Sequence, residues 1–551
     1  MDFSFRGVEL HSNRMWQLSH VERTLDFMRR YDMNALIFHQ NDLVDQLVFP
    51  HAIFSDSLMW KRWPVRMHTI YNNRKYINKI IADSAKVGVG LYLEIKELSF
   101  PEMIFETVPG LLNADGTACP QNPFWFELLR IRFVELCEAV PGLAGVIVSI
   151  GSRESRLSLA SGGCGCEKCK HAKREDWYLQ VTQVMHDVLS THGKRLIMRD
   201  FSYTADEQGI IIDSVQACSS EIGVAMKVTP HDFYPTFPTN PKIGLVPQNP
   251  QFVEFDTWGQ FFGLGVFPSS IVGDIAARMA ECKEKNVYGV WFRTDWEVMY
   301  ECSTANSLNV VNLYAGALLS KDTTTALDDV FRKWVGDGLV SSLVSGSYNQ
   351  IPQKTNNPDA WRSLRVLMEA GWEVMRTSSY VRGHVFMEDD QIPDSVERAY
   401  DMMVRIHGRD AWDPGASALV APTEENLEAI RAEKQASQEL VRKLSTLCPP
   451  DSLGLAPEVT RQLETLLNLY IIYVDMIAAA SDAVFTTAIA QNTKRQADIL
   501  RARESLAPLL AIRGIIEQVF AEGSYPHYIH WLLDELRIDK LYQECAIALA
   551  Y

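Results

Sequence analysis

The sequence has no excess of positive charge. Its 53 lysines and arginines face 69 aspartates and glutamates, for a formal net charge of −16. That balance argues against nucleic acid or an anionic membrane surface as the main partner and leaves neutral or sugar substrates open. No secretory pattern opens the chain, because MDFSFRGVELHS has no basic flank ahead of an apolar run. The most apolar late stretch, LLNLYIIYVDMIAAA, reads as too short for a membrane span and is interrupted by Asp475. No fixed-period repeat is visible, which disfavours a solenoid. Cysteine is sparse, ten in 551 residues and scattered except for one cluster, which suits reduced thiols better than a disulfide framework. These absences predict a soluble cytoplasmic protein.

What is present is alternation. Strand-like apolar runs fall at 5–11, 35–39, 90–95, 144–150, 195–201, 223–228, 252–257 and 288–294, separated by amphipathic helical stretches that often end in Gly or Asn. Eight β-then-α units point to a (β/α)8 barrel, a TIM barrel, over 1–322. A doubly wound sheet is the alternative, but no G-x-G-x-x-G follows the first strand. Beyond Asp322 strand signals stop, and helical periodicity predicts an all-α C-terminal domain over 323–551. The wide apolar stripes from Pro457 to Leu510 predict packing on the barrel and a homodimer through this domain.

Polar groups gather at the predicted strands' carboxyl ends, the active face of such barrels. Glu154 follows the fourth strand, Arg199 and Asp200 end the fifth, and Lys227, His231 and Asp232 follow the sixth. Glu254, Asp256 and Trp258 share a parity on the seventh, with Gln260 just beyond; Arg293, Asp295 and Glu297 end the eighth. His11 and His39 end the first two strands, and Glu94 lies on the third. Taken singly, each reads as a solvated loop charge or a structural histidine. Inward carboxylates, however, are costly unless paired or functional. Cys164, Cys166 and Cys169 form a C-x-C-x2-C run; with His171 as a fourth ligand they would hold a structural zinc, and otherwise they are reduced thiols or a local disulfide.

The rim segments resemble the catalytic barrel of family 67 glycoside hydrolases, the α-glucuronidases. KVTPHDFYPTFP is similar to that family's segment after strand six, RLIMRDFSY to its W-R-A-F-x-Y segment, and FVEFDTWGQFFG to its E-x-Q-x-x-Q-E-Y-x-G segment. The resemblance implies Glu154 as general acid and Asp232 as catalytic carboxylate. It also implies Lys227 and Arg199 as substrate contacts and Glu254 as the counterpart of the family's first Glu. It departs at Gln260, where the family has a second carboxylate; Asp256, on the same strand, would compensate. Weaker similarity to β-hexosaminidase barrels is undercut by Arg153-Glu154 where those have Asp-Glu.

The resulting expectation is a glycoside hydrolase acting on a short, uronic-acid-bearing oligosaccharide, with inversion and no catalytic cofactor. Trp258, Trp291 and Trp296 would stack on sugar faces, with His231, His39 and Arg293 as further substrate contacts. A degenerate carbohydrate-binding barrel is one competing reading. A metal-dependent hydrolase using His11, His39 and Asp232 is another.

Overall fold

The computed structural model describes residues 2–338 and 354–550, except Arg153, 161–163, Tyr203 and 300–302, so the Arg153-Glu154 comparison lies outside the described residues. Eight parallel strands close into a barrel in sequence order. They are β1 (Phe5–Leu10), β2 (Ala35–His39), β3 (Gly90–Lys96), β4 (Gly145–Ile150), β5 (Arg195–Asp200), β6 (Gly223–Lys227), β7 (Gln251–Asp256) and β8 (Gly289–Arg293). Closure comes from β1 pairing with β8, with Phe5 opposite Gly289 and Glu9 opposite Arg293. Every strand is buried along nearly its whole length, as expected where helices cover the outside and side chains fill the centre.

The outer helices are α1 (Leu18–Arg30), α2 (Pro64–Lys86), α3 (Pro123–Ala139), α4 (Arg174–Thr191), α5 (Ala205–Cys218), α6 (Val272–Glu284) and α7 (Val310–Lys321). In α1 the buried residues His20, Val21, Leu25 and Met28 recur at helical spacing, so one face meets the sheet. The expectation of a helix after every strand is corrected at the sixth unit: β6 and β7 are joined by turns and loop, without a helix. That connection, VTPHDFYPTFPTNPKIGLVPQNP, holds six prolines, which a helix interior does not tolerate.

The C-terminal region is built mainly of α8 (Leu327–Asp337), α9 (Ala360–Ser378), α10 (Glu424–Val441), α11 (Pro457–Thr493), α12 (Gln496–Glu504), α13 (Leu506–Glu522) and α14 (Glu535–Ala548). Among the described residues, one two-residue-per-strand hairpin, Tyr380–Val381 with His384–Val385, interrupts the helices. The apolar late stretch belongs to α11, which is long and apolar enough to cross a membrane, contrary to the reading as too short. However, 67% of its most apolar window is buried inside the protein. Asp475, on its exposed side, accepts two 2.7 Å hydrogen bonds from Arg442. Because α11 packs against α10, α12, α13 and α14, its share of the stripe expected to form a dimer surface is largely buried within the domain, while Leu500 and Leu510 towards the stripe's end stay exposed.

The helical region is fastened over the β7–β8 side of the barrel mouth. Phe267 stacks on Tyr470 with ring centroids 4.4 Å apart, and Trp296 meets Trp531 edge-on at 6.0 Å. Tyr473 donates to the Asp390 carbonyl at 2.7 Å. The Asp390 carboxylate accepts the backbone N–H groups of Gly263 and Leu264 at 2.7 and 3.0 Å and the Ser379 hydroxyl at 2.8 Å. Asp389 and Asp390 both take left-handed backbone, with φ of 56° and 54°. Aspartate tolerates this conformation better than most residues, and two in succession persist only when the surroundings fix them. Here the fixing is done by Asp390, which leaves Asp389 aimed at the barrel mouth.

Candidate active site

Inside the barrel the period-two alternation produces layers. Phe5, Ile37, Tyr92, Ile147, Ile197, Ala225, Phe252 and Trp291 form an apolar floor. Two positions further along β2 to β8, and four along β1, the same face carries Glu9, His39, Glu94, Ser149, Arg199, Lys227, Glu254 and Arg293. The expectation of a polar group at the end of nearly every strand is met.

That second layer is a buried ionic network. Arg199 Nε donates to Glu254 at 2.6 Å and faces Glu94 at 3.2 Å, while its Nη1 donates to Ser149 at 3.1 Å. Burial pushes Glu94 up to about 8 and raises Glu254, with the Arg199 charge opposing both. Glu9 differs. Despite burial, its carboxylate is held well below the usual range by His11 at 3.2 Å and His39 at 2.8 Å.

Above the network lies a cleft of about 220 Å³ whose wall includes residues from all eight strand ends and from the helical region. Lys96, Arg199, Lys227 and Arg293 supply positive charge, and Glu154, Asp232, Glu297, Glu388 and Asp389 supply carboxylates. The Phe201 ring holds Lys96 Nζ at 3.6 Å and Lys227 Nζ at 3.9 Å from its centroid. Burial works against a charged His11, but Glu297 at 2.7 Å outweighs it and raises His11 to about 9.

Two of these carboxylates have opposite proton affinities. Asp232, at a left-handed φ of 46°, is paired with Lys227. Burial opposes its charge, but Lys227, with His231 and His407 behind it, holds the carboxyl far below the usual range. For Asp389, burial dominates and raises the group to about 7, reinforced by the charges of Glu388, Asp390 and Asp232. Gln260 bridges the barrel to this residue: its Nε2 donates to Asp389 Oδ1 at 2.7 Å, and its Oε1 accepts from Arg293 Nη1 at 2.5 Å.

Of the residues expected at the site, Glu154, Asp232, Lys227, Arg199, Gln260, His39 and Arg293 line the cleft, as does Trp296. Glu154 is nearly half exposed and lies 3.0 Å from Lys96 Nζ.

Asp256 is corrected. It is buried below the cleft and its carboxylate accepts the backbone N–H groups of Trp258, Gly259 and Gln260 at 2.9, 3.1 and 2.9 Å, so it shapes the turn rather than meeting water. Glu254 belongs to the network beneath. Trp258 is fully buried against Gly265, whose φ of 65° and lack of a side chain permit the approach. Trp291 spends its N–H on Glu9 at 2.9 Å inside the barrel. Neither tryptophan can stack on a sugar. His231 is buried behind Asp232, with His407 4.5 Å away between ring centroids. The three-residue metal set also fails: His11 and His39 group with Glu9, and Asp232 groups with His231 and His407.

Sequence reasoning missed Glu388 and Asp389, whose only local signal is the acidic run MEDDQ outside any helical pattern. It also missed Cys119, whose thiol joins Cys164, Cys166 and Cys169. His171, the expected fourth ligand, is exposed and 3.7 Å from Glu167.

No protein-family model matches the sequence, and no curated protein matches it. Among solved structures, the chain is similar to a GH138 enzyme described as targeting the pectin rhamnogalacturonan II. The TM-score is 0.61 at 11% identity over 93% of this chain, which spans 62% of that protein's length. It is also similar to an O-GlcNAc hydrolase mutant from Thermobaculum terrenum, with TM-score 0.43, 11% identity, and coverage of 100% and 95% of the two chains. A third is an inactive mutant of a GH20 exo-β-N-acetylglucosaminidase from Vibrio harveyi, with TM-score 0.39, 12% identity, and coverage of 59% and 56%. At these identities the first similarity establishes the fold, a (β/α)8 barrel with a helical C-terminal region.

Proposed function

We propose that the protein is a glycoside hydrolase in which Asp389 donates the proton and Asp232 acts as the ionised carboxylate. The observation that carries this reading is the pair itself: one cleft holds a carboxyl raised to about 7 by burial and another held far below the usual range by Lys227. Paired carboxyls whose environments separate their proton affinities are the requirement for acid–base cleavage of a glycosidic bond. Asp389 gives its proton to the leaving oxygen as the bond to the anomeric carbon breaks. Asp232 accepts a proton from the water that attacks that carbon, giving inversion.

The substrate in this reading is a short oligosaccharide carrying a uronic acid, with its carboxylate among Lys96, Arg199 and Lys227. The GH138 neighbour, described as targeting a pectin, points to pectic fragments as the first substrates to try. The likeness to α-glucuronidases has one further support: Asp389, hydrogen-bonded to Gln260, supplies from the helical region the carboxylate that the resembling segment lacks. Glu154 with Lys96 then contacts substrate. A homodimer also remains part of the proposal, its surface now the exposed Leu510, Ile515, Leu536 and Ile547 on α13 and α14, and light scattering of a monomer at micromolar concentration would refute it.

The test is a panel of aryl glycosides and pectic oligosaccharides with anomer analysis of the products. Hydrolysis lost in Asp232→Asn supports the reading. Binding of the same sugars with no turnover would make this a carbohydrate-binding barrel.

A further inference from the structure

We propose that Cys119, Cys164, Cys166 and Cys169 bind one structural zinc ion that clamps the loop after β3 to the loop after β4. The four Sγ atoms lie within 4.8 Å of one another, and Cys119 Sγ is 3.6 Å from Cys166 and 3.5 Å from Cys169. Four thiolates about 2.3 Å from a central zinc stand about 3.8 Å apart at the corners of a tetrahedron, so the cluster needs only a small adjustment to close around the ion. A set of four sulfurs selects zinc or iron over the hard cations, which prefer oxygen.

The surroundings are those of a built site. Asn113 Nδ2 donates to Cys164 Sγ at 3.4 Å, and the backbone N–H of Cys169 donates to Cys166 Sγ. Such N–H···S bonds orient ligands and disperse thiolate charge. Cys119 is held from behind: the buried Trp125 donates to the Cys119 carbonyl at 3.0 Å, and the buried Trp177 to the Pro120 carbonyl at 3.2 Å. These tryptophans sit on α3 and α4, so the ligand loop is anchored to two barrel helices. Cys166 is the N-cap of the short helix Glu167–Lys170 and Cys169 lies within it, just ahead of α4.

The clamp has a consequence for the cleft. Lys96 ends β3 and Glu97 begins its loop, and the β4 loop carries Glu154 and Ser155. They meet in the Lys96–Glu154 pair at 3.0 Å and the Ser155-to-Glu97 hydrogen bond at 2.6 Å. A metal joining the two loops further out holds this contact in register.

Metal analysis of the full chain, purified without chelator, should give about one equivalent of zinc in a colourless protein. Cys119→Ser should lose it, whereas Cys218→Ser, outside the cluster, should keep it. Because a serine variant could misfold, two further measurements stand beside it. Cys119→His, a conservative ligand, should retain zinc, and cobalt(II) exchanged into the unaltered protein should show the intense visible absorption of a tetrahedral thiolate-rich site. Negligible zinc after growth in zinc-supplemented medium, zinc retained in both Cys119→Ser and Cys166→Ser, or iron in its place would overturn the assignment. The metal readout does not depend on the reading of the cleft as a hydrolase site.

Discussion

Gln260 Nε2 donates to Asp389 Oδ1 at 2.7 Å, joining the β7 loop to a residue 129 positions later in the chain. The same glutamine accepts from Arg293, so one amide connects a barrel cation to a carboxyl supplied by the helical region. The helical region therefore completes the cleft as well as covering it. Asp389 has no strand beneath it and depends on Asp390, Ser379 and Tyr473 for its position.

Asp389→Asn should stabilise the protein near neutral pH. The folded state raises this carboxyl from about 3.8 to about 7, so ionising it in the folded protein carries a penalty. The penalty is absent below the unfolded value, grows as pH rises through this window and is complete above about 7. The variant's gain in Tm should thus be largest at pH 8 and should shrink at pH 5. A gain that does not depend on pH would show that Asp389 is not raised.

Removing Arg199 should be costly, because Glu254 and Glu94 would be left buried without their cation. Arg199→Ala is expected to lose about 3–5 kcal/mol in urea unfolding, as for other broken buried pairs. Arg199→Ala combined with Glu254→Gln should recover part of that loss. Equal stability of the single and double variants would mean that the pair is not coupled.

The barrel was legible because its strands are continuous β-branched and aromatic runs whose inward parity is set by a period of two. Strand ends came within one residue of the sequence reading for all eight, Phe38-His39 and Met226-Lys227 among them. Depth was not legible: parity places Glu254, Asp256 and Trp291 inward but cannot say which lie beneath the cleft floor. The missing helix between β6 and β7 was foreshadowed only by prolines. Glu388, Asp389 and Cys119 reach their sites through long-range contacts, which leave no local periodic trace.

Gly371→Ala should loosen the helical region from the barrel. A Cβ at this position of α9 would press on the Pro268 carbonyl, while Tyr470 already donates to the Gly371 carbonyl at 2.8 Å. Overpacking of this kind costs about 1–3 kcal/mol. Tm should fall, and because Asp389 rides on the displaced region, kcat should fall with it. An unchanged Tm would show that the helices can shift freely.

The proposed proton donor is tested most directly by the pH dependence of kcat/KM for the unaltered protein, Asp389→Asn and Glu154→Gln, on paired substrates with good and poor leaving groups. The unaltered protein should lose activity as pH rises past about 7, where Asp389 gives up its proton. Asp389→Asn should abolish that alkaline limb and retain far more activity on the activated aryl glycoside than on the oligosaccharide, while Glu154→Gln keeps the limb and loses both substrates alike. The opposite pattern, with the limb surviving in Asp389→Asn and vanishing in Glu154→Gln, would contradict the account and return the acid to Glu154.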